Sequence, residues 1–172
     1  MLPGQRPVAD RNIIERLQPS LLDRLTDREP EKRSESRDTR VIDINRLRDI
    51  IRRDLVWLLN ANNLDTELDA ARFPQIRNSV LNFGVREVAG TFGGRDRAAE
   101  IRKSMQTAIR RFEPRINEGT LDVIMREAEQ DRQSVIVFDI VADMWAEPLP
   151  LQLYLKSEVD ITTGEVTLDE AR

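Results

Sequence analysis

The chain has 172 residues, with 27 Lys and Arg against 31 Asp and Glu and a net charge of -4. This length suits a single domain, and the acidic balance offers no long-range attraction for nucleic acid or an anionic membrane. Because cysteine and histidine are absent, disulfides, thiolate metal sites and histidine-based catalytic triads are excluded. We expect a protein without a cofactor, metal site, small-molecule ligand or nucleic-acid partner.

The sequence also argues against insertion into a membrane. No apolar run approaches the roughly 20 residues that span a bilayer. The first residues, MLPGQRPVADRN, lack the apolar core of a signal peptide. We therefore expect a cytoplasmic location.

The N-terminal part, residues 1–40, predicts a short helix and a flexible tether. In PSLLDRL, Ser20 can cap a helix over about residues 19–26, with Asp23 as its capping-box partner. Residues 27–40 then carry five acidic and five basic side chains and no apolar one to bury. Such a segment cannot offset the entropy of ordering, so we predict a solvated, mobile tether here and over residues 1–18.

Residues 41–172 are predicted to form one compact domain that opens with a long helix. The segment DINRLRDIIRRDLVWLLNA offers Asp43 or Asn45 as the N-cap. Trp57 falls beside the apolar stripe, and we interpret it as an aromatic residue at the edge of the core. The stripe recurs at the helical period and comprises Leu47, Ile50, Ile51, Leu55, Leu58 and Leu59.

Two more helices are predicted before the strands begin. PQIRNSVLNFG reads as a short helix with Pro74 in its first turn and Gly84 at its C-cap. A flexible joint follows around the glycines of residues 90–94, whose spacing does not fit a phosphate-binding loop. The next helix should stop at Glu113. Its apolar face would comprise Ile101, Met105, Ala108, Ile109 and Phe112.

The last third of the chain has the alternation typical of strands. The predicted strands are TLDVIMRE, SVIVFDIVADMWA, LQLYLKSEVD and VTL. The last two are joined by the turn TTGE, in which Gly164 supplies a positive φ. One face of the second strand would carry Ile136, Phe138, Ile140, Ala142 and Met144. The expected fold is therefore α+β, with N-terminal helices packed on one face of a three- to four-stranded antiparallel sheet formed by a C-terminal meander.

The stretch RRFEPRI places Glu113, Pro114 and Arg115 where the third helix ends. Proline disfavours helical dihedrals in the preceding residue, so Glu113 and Arg115 should project to the same side of an extended segment. If exposed, such an ion pair would contribute only about 0–1 kcal/mol to stability. The tripeptide alone favours a simple helix stop, while half of a catalytic pair and a contact with a partner remain as alternatives.

Five segments point to a known family when they are taken together. In chain order they are PSLLDRL, RRDLVWLLN, SVLNFG, FEPRI and VDITTGEV. Over about residues 19–168 the chain resembles the baseplate wedge proteins shared by contractile phage tails and type VI secretion systems, nearest to the TssE-type members. The Glu-Pro-Arg at 113–115 is the most specific element of the resemblance.

The resemblance implies a non-enzymatic, structural role in the bacterial cytoplasm, joining the baseplate wedge to the contractile sheath. It favours a partner-binding role for Glu113, Pro114 and Arg115, in which Arg115 grips a carboxylate or carbonyl cluster of another wedge subunit and Glu113 orients it. The last strands, about residues 151–168, become candidates for pairing with an extended strand of the sheath, to be probed at Leu153 and Leu155.

Two other functions are left as alternatives. A lysozyme-like peptidoglycan hydrolase would need two placed carboxyl groups, one of them held protonated. Arg115 beside Glu113 favours the ionised form, the opposite of what a general acid needs, and we assign no catalytic residue. A small regulatory protein-binding module of the same fold is the third hypothesis, because a fold does not determine its partner.

Overall fold

The structure is a computed structural model that describes residues 20–26, 31, 44–69, 71–87, 95–126, 134–145 and 150–170. These residues divide into two compact units. The first holds those up to Ile51 together with Pro150, and the second holds those from Arg52 to Trp145 and from Leu151 onward. Two predicted mobile segments lie outside the described residues: 1–18, and 27–40 except for residue 31. The proposed cap Asp43 and the glycine joint at 90–94 also lie outside them.

Helix α1, Leu21–Leu25, lies in the first unit and begins as predicted. The backbone amide of Asp23 donates to Ser20 Oγ at 3.4 Å, and the Ser20 hydroxyl donates to the Asp23 carboxylate. This reciprocal contact satisfies an amide that the first helical turn leaves without a partner. The three leucines of α1 are exposed, at 70% for Leu21, 45% for Leu22 and 74% for Leu25.

Helix α2, Ile44–Leu59, confirms the first long helix. All six apolar residues of its predicted stripe are buried, with 0–6% of their surface exposed. Asn45 lies within the helix, so its assignment as the cap is wrong. Trp57 is 51% exposed, which makes its interpretation as a core-edge residue wrong as well.

The predicted helix over PQIRNSVLNFG is wrong. The segment instead forms two 3₁₀ turns, η1 at Ile76–Asn78 and η2 at Val80–Asn82. Between them Ser79 has the extended dihedrals φ -92° and ψ 162°, which interrupt any continuous helix.

The buried side chain of Asn82 gives a physical reason for this break. Its Oδ1 accepts from the Leu64 amide at 2.9 Å, and its Nδ2 donates to Asp65 Oδ1 at 2.9 Å and to the Arg77 carbonyl at 3.2 Å. Asn82 is fully buried, and Asn side chains of this kind compete with helical backbone hydrogen bonding. The side chain thus ties this segment to the loop that follows α2.

Gly84 has the predicted positive φ, at 123°, but for another reason than a helix cap. A Cβ at this position would lie 2.2 Å from the Ala61 carbonyl oxygen. The next residue, Val85, donates its amide to the same oxygen at 2.8 Å and accepts from the Asn63 amide at 2.8 Å. The chain therefore passes against the loop after α2 at a distance that only glycine allows.

Helix α3, Arg95–Phe112, confirms the third predicted helix and ends just before Glu113. Its apolar face is buried except for Phe112, which is half-buried. The ring of Phe112 packs edge-to-face against Phe83, with centroids 5.4 Å apart. This contact joins the end of α3 to the segment that contains the 3₁₀ turns.

The strands form an antiparallel meander, as predicted. Within the described residues the sheet has four strands in the order β1-β2-β3-β4, so β1 and β4 are its edges. Their bounds are Asp122–Met125, Val135–Met144, Leu151–Asp160 and Val166–Glu170. β2 and β3 pair along their whole lengths, whereas β4 pairs with residues 155–159 of β3.

One face of the sheet is buried and the other is largely exposed. The buried face carries Val123, Phe138, Ile140, Ala142, Met144, Leu153, Leu155, Val159, Val166 and Leu168. Helix α3 contacts β1, and the side chain of Asn60, which follows α2, bonds both backbone groups of Val166 in β4. This arrangement confirms the α+β fold. In the part of the chain that the structure describes, no helix is long and apolar enough to cross a bilayer.

Candidate partner-binding site

The end of α3 is fixed to the end of strand β2. The Glu113 amide makes the last helical hydrogen bond, to the Ile109 carbonyl at 2.9 Å, and Pro114 has no amide hydrogen with which to continue the ladder. The chain then runs antiparallel to β2. Asn117 donates to the Asp143 carbonyl and Trp145 donates to the Arg115 carbonyl, each at 2.8 Å.

Glu113 and Arg115 meet as predicted, but not along an extended segment: residues 114 and 115 form a turn, in which the Ile116 amide donates to the Glu113 carbonyl at 3.2 Å. Arg115 Nε donates to Glu113 Oε1 at 2.7 Å, Nη2 donates to Oε2 at 2.5 Å, and the Arg115 amide donates to Oε1 at 3.1 Å. This is a bidentate fork, the strongest geometry for such a pair. Glu113 is only 5% exposed, so the small contribution expected of an exposed pair does not apply, and loss of either partner should also affect stability.

Sequence reasoning missed a third member of this site. Asp54, on α2, accepts from Arg115 Nη2 at 2.7 Å through Oδ2, while its Oδ1 accepts from Arg53 Nη2 at 2.7 Å. We call Arg53, Asp54, Glu113 and Arg115 the Arg115 cluster. Asp54 lies in RRDLVWLLN, one of the segments that carry the resemblance, but nothing in the sequence pairs it with a residue so distant.

The charges of the Arg115 cluster balance locally. Burial of the guanidinium works to lower the pKa of Arg115, but hydrogen bonding and attraction from Glu113, and then from Asp54, outweigh burial and hold that pKa above its ordinary value. A raised arginine pKa contributes stability that is lost only at strongly alkaline pH. Arg115 therefore stays charged throughout the neutral range.

The Arg115 cluster is accessible on one side. The side chains of Arg53, Asp54 and Arg115 are 30%, 23% and 29% exposed. Arg115 uses Nε and Nη2 within the chain, whereas its Nη1 makes no hydrogen bond to any residue that the structure describes. One edge of a rigidly held guanidinium is thus presented outward, which suits recognition of a partner better than catalysis.

The two leucines named from the sequence lie in a different place. Leu153 and Leu155 are buried in β3, which is an interior strand, at 2% and 0% exposure. The backbone amide of Asp160, at the end of β3, points toward β4, because it donates to the Glu165 carbonyl. The backbone groups of successive residues in a strand point alternately to its two sides, so those of odd-numbered residues in β3 point the other way. The backbone groups of both leucines consequently point toward β2 and are no part of an edge.

Strand β4 provides the free edge instead. Its first residue, Val166, points both backbone groups outward, where the Asn60 side chain bonds them at 2.9 Å and 2.8 Å. By alternation, Leu168 and Glu170 also point their backbone groups outward. No strand of the described sheet lies beyond them. Asn60 thus covers the start of this edge, and no described strand pairs with its second half, where Leu168 is buried and Glu170 is exposed.

An α+β domain with a self-paired charged cluster, and a sheet edge that no described strand covers, suits a component of a larger protein assembly. The comparison with protein families agrees: the model of the baseplate wedge protein gp25 family matches residues 45–149 of the 172, and the chain belongs to this family. The matched range includes the whole Arg115 cluster. Comparisons with curated proteins and with solved structures returned no significant match.

Proposed function

We propose that this chain is a TssE-type baseplate subunit of a type VI secretion system, which binds other wedge subunits and connects the wedge to the contractile sheath in the bacterial cytoplasm. Membership of the baseplate wedge family supports the structural role. Residues 41–172 would act as the wedge domain, and residues 1–40 would carry the short helix and the tether.

The Arg115 cluster is the observation that carries the wedge-binding part of this proposal. It fixes the junction of α2, α3 and β2, yet leaves Arg115 partly exposed with Nη1 available. A simple helix stop would need only Pro114. It would not need the two hydrogen bonds from the Arg115 guanidinium to Glu113, nor the additional hydrogen bond to the Asp54 carboxylate of α2. A catalytic carboxyl pair would need one group protonated, whereas here both carboxylates bind the same cation.

Reconstitution tests the proposal as a whole. The purified chain should co-purify with the other wedge subunits encoded beside it and should recruit sheath protein to that complex. It should release no soluble fragments from purified cell wall. Cell-wall turnover without complex formation would instead support the hydrolase, and stable binding only to a regulator would support the third alternative.

Sheath attachment is expected to use the end of the β4 edge at Glu170, which is exposed. Glu170→Pro removes an outward-pointing donor, so it should weaken sheath recruitment roughly tenfold, at the upper end of what one hydrogen bond supplies, with little change in unfolding temperature. Wedge binding should be retained. Quantitative sheath pull-down on pre-formed wedge complexes measures both effects.

Asp169→Pro is the matched control, because Asp169 lies opposite Lys156 and its backbone groups point toward β3. This change should lower stability by breaking the ladder. A proline at Leu153 or Leu155 would likewise break the pairing with β2. Normal sheath recruitment by a folded Glu170→Pro variant would exclude strand addition at this edge.

A further inference from the structure

Both tryptophans of the chain are exposed. The sequence contains two Trp and only 5% aromatic residues, and Trp57 and Trp145 are 51% and 70% exposed. Tryptophan is on average well buried in folded domains, and it is the residue most enriched at the energetic centres of protein interfaces. Two exposed indoles in a chain this poor in aromatic residues call for a physical explanation.

Both are attached to the Arg115 cluster. The Arg53 guanidinium lies over the Trp57 ring, 5.0 Å from its centroid, and the same guanidinium bonds Asp54. On the other side, the Trp145 amide donates to the Arg115 carbonyl at 2.8 Å. The Trp57 indole therefore contacts a guanidinium of the cluster, whereas Trp145 is joined to the cluster through its backbone amide.

The register beside β2 places Trp145 opposite Arg115. Ile116 and Met144 form an antiparallel bridge, so the residues next to them, Arg115 and Trp145, face each other across the two segments. Ile116 and Met144 are buried. Trp145 is 70% exposed and the Arg115 side chain is 29% exposed, so both members of this facing pair are accessible.

The charge balance of the cluster restricts what can bind between the indoles. Two guanidinium groups and two carboxylates already pair with one another. An incoming carboxylate would meet a cluster that is already neutral overall, so its attraction to the two arginines would be offset by repulsion from Glu113 and Asp54. A neutral acceptor meets no such repulsion and still satisfies Arg115 Nη1.

We propose that Trp57, Arg115 and Trp145 form one binding surface for an uncharged, apolar segment of another wedge subunit. Apolar side chains of that segment pack on the two indoles, and one of its backbone carbonyls accepts a hydrogen bond from Arg115 Nη1. This inference rests on the proposed function for the identity of the partner. It narrows the expected ligand of Arg115 from a carboxylate or carbonyl to a carbonyl in apolar surroundings.

The test measures the affinity of the purified chain for the complex of the other wedge subunits at low and high salt. Trp57→Ala and Trp145→Ala should each weaken binding at least roughly tenfold, as expected for aromatic anchors. Phe73→Ala is the control, since Phe73 is 44% exposed and its ring contacts Arg72, which lies outside the Arg115 cluster. Circular dichroism confirms that each variant is folded.

Salt separates an uncharged partner from an acidic one. Raising the salt from 50 to 500 mM should change the affinity less than about threefold, because exposed charge pairs are screened at such concentrations and apolar contacts are not. A fall of tenfold or more would overturn the uncharged partner.

The remaining outcomes separate this inference from the proposed function. If both tryptophan variants bind as tightly as the wild type while Arg115→Ala loses binding, the surface is refuted and the wedge-binding role stands. If the wild-type chain does not bind the wedge complex at all, both are refuted.

Discussion

Arg115→Ala is expected to weaken binding to the other wedge subunits by roughly 100-fold or more, the size typical of a central arginine in an interface. The guanidinium is held by Glu113 on one side and by Asp54 on the other, so it meets a partner without first losing conformational freedom. Its removal takes away both the outward donor and the element that positions the cluster. Isothermal titration with the reconstituted wedge complex measures the loss.

The same change should also destabilise the domain. Glu113 is 5% exposed and would lose its cation, at a cost of about 1–3 kcal/mol for a buried group left without its partner. Binding must therefore be measured well below the lowered unfolding temperature. Arg115→Lys should rescue poorly, because lysine keeps the charge but cannot bridge Glu113 and Asp54 with a planar fork. Wild-type affinity in a folded Arg115→Ala chain would remove Arg115 from the interface.

Gly84→Ala is expected to lower the free energy of unfolding by at least about 3 kcal/mol, since backbone strain and a steric clash add together. The new Cβ would lie 2.2 Å from the Ala61 carbonyl oxygen and 2.6 Å from its carbon, and the residue would keep a φ of 123°. Neither neighbour is the end of a flexible side chain that could move aside. Urea unfolding of the two proteins gives the difference.

Gly164→Ala provides a matched control for this prediction. Gly164 also has a positive φ, at 80°, but a Cβ there would meet no atom within 4 Å. Only the dihedral strain remains, so the expected cost is about 1 kcal/mol. Equal destabilisation by the two substitutions would show that the close approach to Ala61 contributes nothing.

The elements that could be predicted are those with a regular apolar period. The stripe of α2 and the alternation of β2 follow from burial of one face, and burial is what orders both elements. The segment around Asn82 could not be predicted, because a polar side chain with partners distant in sequence decides its conformation. Pro114 did predict the helix end, but the extended segment expected after it is a turn, and Glu113 meets Arg115 across that turn.

The other features of the candidate site depend on tertiary contacts. Asp54 joins Arg115 only through a tertiary contact between α2 and the turn after α3, which are far apart in the sequence. The exposure of Trp57 could not be predicted from the sequence either, since a large aromatic residue beside an apolar stripe is usually at least partly buried. Which strand forms the edge of the sheet depends on strand order. Leu153 and Leu155 lie in a segment whose apolar and polar residues alternate as in a strand, but this alternation does not distinguish an interior strand from an edge strand.

Hydrogen–deuterium exchange of the chain, free and in the reconstituted wedge complex, tests the central claim most directly. If the Arg115 cluster is the wedge-binding surface, amides in residues 113–117 and 143–145 should exchange more slowly in the complex. The exposed turn at 161–165 should be unchanged and serves as the internal reference. Unaltered exchange at 113–117 in a complex that has formed, with protection elsewhere in the domain, would contradict the account.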